Sequence, residues 1–277
     1  MTRIRTILTI AAVLLGIMTL GGCKLSNHRS YEPIVEKYLD RNGQVTFGGQ
    51  VNADKYLMGG ASLNAKEVSG LEIDWLSDSV TIYAYDGNEV VFSEVSDEAL
   101  VDSTTMHHHL DSDGTLKIVF GKPGVKMAGK EVPHKRLTVM VPRTLLLEKV
   151  ELNGLGYNAR IDSIRCETLE ANYVSNRLTL NECETEEIEV NGVSTFVEAT
   201  FSKMPEEMEL NNVSGTTVLY VPEDAGISWE QNGIKNEFST TLPVHRKGMK
   251  RIIGDGSCKI ECNSINGSLE IKEKGTN

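Results

Sequence analysis

Four glutamates recur at a near-constant interval in the second half of the chain. Glu151, Glu170, Glu189 and Glu209 are spaced 19, 19 and 20 residues apart (170−151, 189−170, 209−189). Carboxylates repeated in this way can bridge Ca²⁺, which accepts roughly six to eight oxygen ligands in flexible geometry. They can equally hold a cationic peptide or polymer. Glu167, Glu186, Glu187, Glu206 and Glu207 deepen the acidity, and few basic residues stand near them. On adjacent strands, ~4.8 Å apart, such glutamates form a column of like charges, which is destabilising unless something neutralises it. The competing reading is a solvated acidic edge that discourages strand-to-strand aggregation and is softened by salt.

Other reactive residues fall into weaker patterns. His107, His108 and His109 stand beside Asp111 and Asp113, but consecutive strand residues point to opposite faces, so the three histidines do not converge on one ion. A solvated loop is expected there. Asp111-Ser112-Asp113-Gly114 lacks the downstream acids of a calcium loop and reads as a turn. Beyond Cys23 four cysteines remain. Cys166 and Cys183 precede Asn172 and Asn191 by six and eight residues (172−166, 191−183), close enough in adjacent repeats for a disulfide. Cys262 reads as a small apolar core group. No Ser/His/Asp order, phosphate-binding glycine loop or HExxH motif is present, and the chain is not expected to be an enzyme.

The elements that carry the glutamates are written in the same period. Two residues after each glutamate comes an asparagine: Asn153, Asn172, Asn191 and Asn211. Apolar pairs flank the glutamates (Val150/Leu152, Leu169/Ala171, Ile188/Val190, Met208/Leu210), and a second alternating pair follows (Ala159/Ile161, Leu178/Leu180, Val197/Ala199, Val218/Tyr220). Each unit is therefore two short strands with apolar residues inward and glutamate outward. The frame also fits around Asp74 (Glu72, Val80/Ile82) and Asn263 (Glu261, Leu269/Ile271), with degenerate copies expected between. A two-strand unit of about 19–20 residues cannot bury its own apolar face, so units must stack. The expected fold is all-β: a single-stranded β-helix-like solenoid, with asparagine and glycine at the corners. The rival is a β-sandwich of antiparallel hairpins. Further strands are expected at 71–75, 80–84, 90–92, 116–120 and 137–141, with an exposed loop over 121–134. Ile34, Val35, Tyr38 and Leu39 predict a short N-terminal helix over 31–40.

The first residues read as an export signal, with Arg3 and Arg5 ahead of an apolar run from Ile7 to Leu20. Leu20-Gly21-Gly22-Cys23 resembles the bacterial lipobox, which implies lipidation of Cys23. A plain cleavable signal peptide is the alternative. The division expected is a signal peptide over 1–22, a tether over 23–30 and one elongated domain over 31–277, attached to the membrane through its N-terminal lipid. The net charge of −11 excludes nucleic acid and electrostatic adhesion to anionic lipid as expected partners.

Three passages carry a resemblance to a group of exported bacterial proteins with repeated β-strands, known as adhesin-like proteins or as a domain of unknown function. They are Asn52-Ala53-Asp54-Lys55-Tyr56 with Gly59-Gly60; Leu71-Glu72-Ile73-Asp74-Trp75 running into Ser79-Val80-Thr81-Ile82; and the repeat, entered through Leu137-Thr138-Val139-Met140-Val141 and left through Val221-Pro222-Glu223-Asp224-Ala225-Gly226. The resemblance implies a solenoid at the cell envelope and no catalytic residues. The functional expectation is an extracytoplasmic, lipid-anchored binding or structural module presenting an acidic face to Ca²⁺ or to a cationic envelope ligand. A carbohydrate-active β-helix enzyme and a sensory accessory protein of an envelope-stress system are the alternatives.

Overall fold

The computed structural model describes residues 45–46, 53–127, 132–248 and 250–275. The export segment, Cys23, the tether and the helix expected over 31–40 lie outside the described residues. Within them the chain is all-β, because runs rich in Val, Ile and Leu alternate with polar residues and are broken by Asp-Gly, Asn-Gly and Pro. Short strands come first: β1 (Val45–Thr46), β2 (Leu57–Met58) and β3 (Ala61–Asn64), then β4 (Gly70–Trp75), β5 (Ser79–Tyr85) and β6 (Glu89–Ser96). There follow β7 (His107–Leu110), β8 (Thr115–Val119), β9 (Lys126–Met127) and β10 (Lys135–Pro142). The repeat occupies β11 (Leu146–Leu155), β12 (Asn158–Asp162), β13 (Arg165–Val174), β14 (Asn176–Asn181), β15 (Glu184–Thr200) and β16 (Glu207–Val221). The chain ends with β17 (Ile227–Thr240), β18 (His245–Lys247), β19 (Lys250–Ile253) and β20 (Cys258–Glu273).

Strands β1 and β9 pair with each other, and the remaining eighteen join one open sheet. Its centre is two parallel ladders in register. The first runs in space β8–β4–β11–β13–β15–β16–β20–β17. The second runs β10–β5–β12–β14 and continues through the later halves of β15, β16, β20 and β17. Parallel pairing excludes the hairpin sandwich for these strands. It also aligns the inward residues in rows, such as Leu71, Val150, Leu169, Ile188, Met208 and Ile260, all buried. One contiguous core results, stabilised by about 25 cal/mol for each Å² of apolar surface removed from water.

Both ends of the stack depart from chain order. β4 lies inside β8, and β20 is inserted between β16 and β17. β8 and β17 are therefore the outermost copies of the unit, with Lys117 and Glu230 at the glutamate position. Antiparallel strands close the first end, β7 on β8 and β6 on β10.

Several expectations need correction. His107–His109 belong to strand β7, and the first two histidines are buried rather than solvated. The loop expected over 121–134 contains β9, with Met127 in the core. In the fourth unit the inward pair is Thr217/Leu219, which align with Val197/Ala199, while Val218 and Tyr220 align with outward Glu198 and with Thr200. A 20-residue step sets that register, overriding the apolar appearance of Val218 and Tyr220. The anchor asparagines are not left-handed corners. Among the described residues positive φ falls instead on Asp78, Ser163, Ser175 and Glu182 and on ten glycines, including Gly154 and Gly233 directly after the anchors Asn153 and Asn232.

Candidate functional site

The register brings the four predicted glutamates into one row and lengthens it. Glu72, Glu151, Glu170, Glu189, Glu209, Glu261 and Glu230 lie on successive strands. Beside them Asp74, Asn153, Asn172, Asn191, Asn211, Asn263 and Asn232 form a second row. The asparagine amides are chained. Each Nδ2 donates to the Oδ1 of the asparagine on the next strand, from Asn232 through Asn263, Asn211, Asn191 and Asn172 to Asn153, at 2.9–3.1 Å. In Asn153, Asn172, Asn191, Asn211 and Asn263 the amide also donates to the glutamate of its own strand two residues back, at 2.8 Å for Asn172–Glu170 and 2.7 Å for Asn191–Glu189, whereas Asn232 reaches Glu261 on the next strand at 3.5 Å. The like charges of the row are thus offset by a built line of donors.

This arrangement changes what the glutamates can do. Glu170 is only 7% exposed, and Lys149 Nζ sits 2.6 Å from it and 2.8 Å from Glu151. Burial pulls the Lys149 pKa down, but its bonds to Glu151 and Glu170 outweigh that and raise it above the ordinary value. At one end of the row Lys117 pairs with Glu72 at 3.1 Å and Asp111 at 3.0 Å. Towards the other end Lys259 pairs with Glu207 at 2.5 Å and approaches Glu261 at 3.7 Å. Glu170 is therefore an internal structural carboxylate rather than a contact point for a partner.

The accessible acids lie one step away. Leu147 and Val150 both point into the core although they are three residues apart, and Cys166/Leu169 behave alike, so each strand breaks its alternation between them. The parallel register passes over Glu148, Glu167 and Glu186 at this break. Glu148, Glu167, Glu186 and Glu206 are all exposed, one per repeat, at spacings of 19, 19 and 20 (167−148, 186−167, 206−186). Sequence parity could not single them out, because the break adds a residue to the alternation. The signal available was their period.

The other candidates are structural. His107 Nδ1 meets the Thr105 carbonyl at 2.9 Å, and His108 Nδ1 meets the Gly59 carbonyl at 2.9 Å. Burial holds the His108 pKa below its ordinary value. His109 turns the other way, 3.2 Å from Asp111. Among the described residues no three of His, Cys, Asp and Glu gather in a geometry that could hold a metal ion. Cys166 and Cys183 are buried and free, as are Cys258 and Cys262. The expected disulfide is not formed: Cys166 stands in register with Thr185, and the Cys183 thiol bonds to the Ile161 carbonyl at 3.4 Å instead. Burial pushes the Cys166 thiol up to about 11 and Cys183 up to about 12, so neither is nucleophilic at neutral pH.

One charged residue was missed altogether. Lys135 has no exposed surface. Its ammonium donates to Glu94 at 2.6 Å, to the Thr104 carbonyl at 2.6 Å and to the Phe120 carbonyl, and lies over the Phe120 and Trp75 rings. It ties β10, β6 and the segments after β6 and β8 into one closure at the first end of the stack. Nothing in the local sequence marks it.

No family model and no curated protein matches the chain. Solved structures do, at low identity. A candidate cell adhesion protein from Clostridium sporogenes is 10% identical, with 79% of this chain and 100% of that one covered and a TM-score of 0.38. A candidate adhesin from Bacteroides fragilis is 11% identical, covering 79% and 97%, with a TM-score of 0.43. A candidate lipid binding protein from Parabacteroides distasonis is 16% identical, covering 79% and 96%, with a TM-score of 0.31.

Proposed function

We propose that this chain is a lipid-anchored β-solenoid of the cell envelope, held through Cys23, that binds a cationic partner along an acidic edge and performs no chemistry of its own. The in-register parallel ladders support the solenoid reading. The observation that carries the binding reading is the exposed column Glu148, Glu167, Glu186 and Glu206, one carboxylate per repeat, beside an inner glutamate row already bound to asparagines and lysines. A linear arrangement of acids roughly 4.8 Å apart suits a basic peptide or polymer, which meets one acid per coil. A chelated Ca²⁺ suits it less, because that ion needs several oxygens gathered round one point.

The test is thermal unfolding of the domain with and without an oligolysine peptide, and separately with Ca²⁺. Oligolysine raises the Tm, and Glu167→Gln/Glu186→Gln/Glu206→Gln removes the effect while Glu170→Gln lowers Tm without it. A parent protein indifferent to both cations, or a triple variant that responds like the parent, overturns the acidic-edge reading. Cys23→Ala tests the anchor, since it releases the protein from the membrane fraction.

A further inference from the structure

We propose a second site, independent of the acidic edge: a groove that binds a neutral, hydroxyl-rich chain such as a linear oligosaccharide. The groove has a volume of about 670 Å³ and follows the turn between the two ladders. It crosses six strands, because Asn158, Arg177, Phe196, Thr216, Ser268 and Glu237 of its lining stand in register on β12, β14, β15, β16, β20 and β17. Five inter-strand steps make it about 24 Å long, enough for several sugar rings laid end to end.

Its chemistry selects the ligand class. Hydroxyl and amide groups dominate the lining, and both kinds donate and accept, as sugar hydroxyls do. Charge is balanced: Arg177 is paired with Glu198 at 3.1 Å, and Glu237 is the one acid in the lining. A polyanion or polycation finds no matching field there. Phe196 is a half-buried ring on an otherwise polar wall, held by the Arg177 guanidinium 4.1 Å from its centroid. It offers an apolar surface to the C–H face of a sugar, the usual combination of one aromatic and a few convergent polar groups in a ligand site. Asn176 also lines the groove. It is 6% exposed, its Oδ1 accepts from the Tyr157 backbone at 3.2 Å, and its Nδ2 has no hydrogen-bond partner. Asn176 shares the strand parity of buried Leu178 and Leu180, so its amide closes the floor of the groove from the core side, and the exposed side chains of the neighbouring positions meet the ligand. With a single acid in the lining, the groove lacks the pair of carboxylates that glycoside hydrolysis requires, so it binds without cleaving.

Titration of the folded domain with a panel of neutral linear gluco-, manno-, xylo- and galacto-configured hexasaccharides, followed by calorimetry, tests this. At least one member binds. Phe196→Ala weakens that binding at least ten-fold, and Ser214→Trp, an exposed groove position, abolishes it while thermal unfolding stays at the parent value. The acidic-edge triple variant binds the same glycan as the parent does, which separates this site from the cationic one. No binding by any member at millimolar concentration, or unchanged affinity in both groove variants, overturns the proposal.

Discussion

At the scale of single residues, the asparagines are worth more than their exposed-looking position in the alternation implies. Asn172 donates to Asn153 and Glu170 and accepts from Asn191 at 3.0 Å. Asn172→Ala strands two of these partners inside the row, one of them charged. Leaving a buried polar group unmet costs about 1–3 kcal/mol, more when it is charged, so a loss of about 3 kcal/mol is expected. Asn232, the last and exposed member, has only its two donations at 3.1 and 3.5 Å, and Asn232→Ala is expected to cost under about 1 kcal/mol. Urea unfolding of the two variants checks the contrast, and equal losses would remove the amide chain as a source of stability. The anchors were legible in the sequence as a period, and their neighbouring glutamates with them. Their hydrogen-bonding roles were not, because a spacing gives the strand on which a residue sits but not how its amide is turned. The same limit hid the exposed glutamates at 148, 167, 186 and 206: the break there inserts one residue, and alternation counted across it gives the wrong face.

At the scale of elements, the closure at the first end depends on a lysine. Burial outweighs the hydrogen bond and charge of Glu94, and Lys135 titrates near about 8, below its usual range. The folded state therefore releases this proton at lower pH than the unfolded chain, whose lysine titrates near about 10.4. Between those values the unfolded state binds more protons, and stability from this group rises with pH. The penalty is full below about pH 8 and gone above about pH 10.4. The difference in unfolding free energy between the parent and Lys135→Met/Glu94→Leu should accordingly move in the parent's favour from pH 8 to pH 10. A constant difference across that window would mean the lysine keeps its proton throughout. The core strands of the repeat were readable from alternation, as were β4, β5, β8 and β10. β7 was not, since three histidines in a row carry no apolar signal, and their burial comes from carbonyl partners at Gly59 and Thr105 and from the Phe92 ring 4.8 Å from His108. The order of strands at the two ends was equally hidden, because insertion of β20 beside β16 is a long-range pairing with no local mark.

At the scale of the whole molecule, charge is unevenly spread. In a chain of net charge −11, the inner row and the exposed column set eleven glutamates side by side, while His245, Arg246, Lys247, Lys250 and Arg251 cluster on the β18–β19 hairpin. Repulsion within the exposed column is screened over about 10 Å at 0.1 M salt. Raising sodium chloride from 10 mM to 500 mM should increase the Tm of the parent by a few degrees, about 1 kcal/mol or less, and should do so less for Glu167→Gln/Glu186→Gln/Glu206→Gln. Equal salt responses would mean that the inner row, not the edge, dominates the electrostatics.

The insertion of β20 between β16 and β17 also sets a timetable. A chain made from its N-terminus can zip β11, β13, β15 and β16 together in order of synthesis, each new strand finding its neighbour already in place. Among the described residues β17 then emerges with no earlier strand to pair with, because its long partner is β20 and its short one β19, and the last two strands of the ladder form together once residue 273 is available. Contacts of that sequence separation are slow to close. The final stage of folding is therefore post-synthetic, with the edge of β16 left open in the interval.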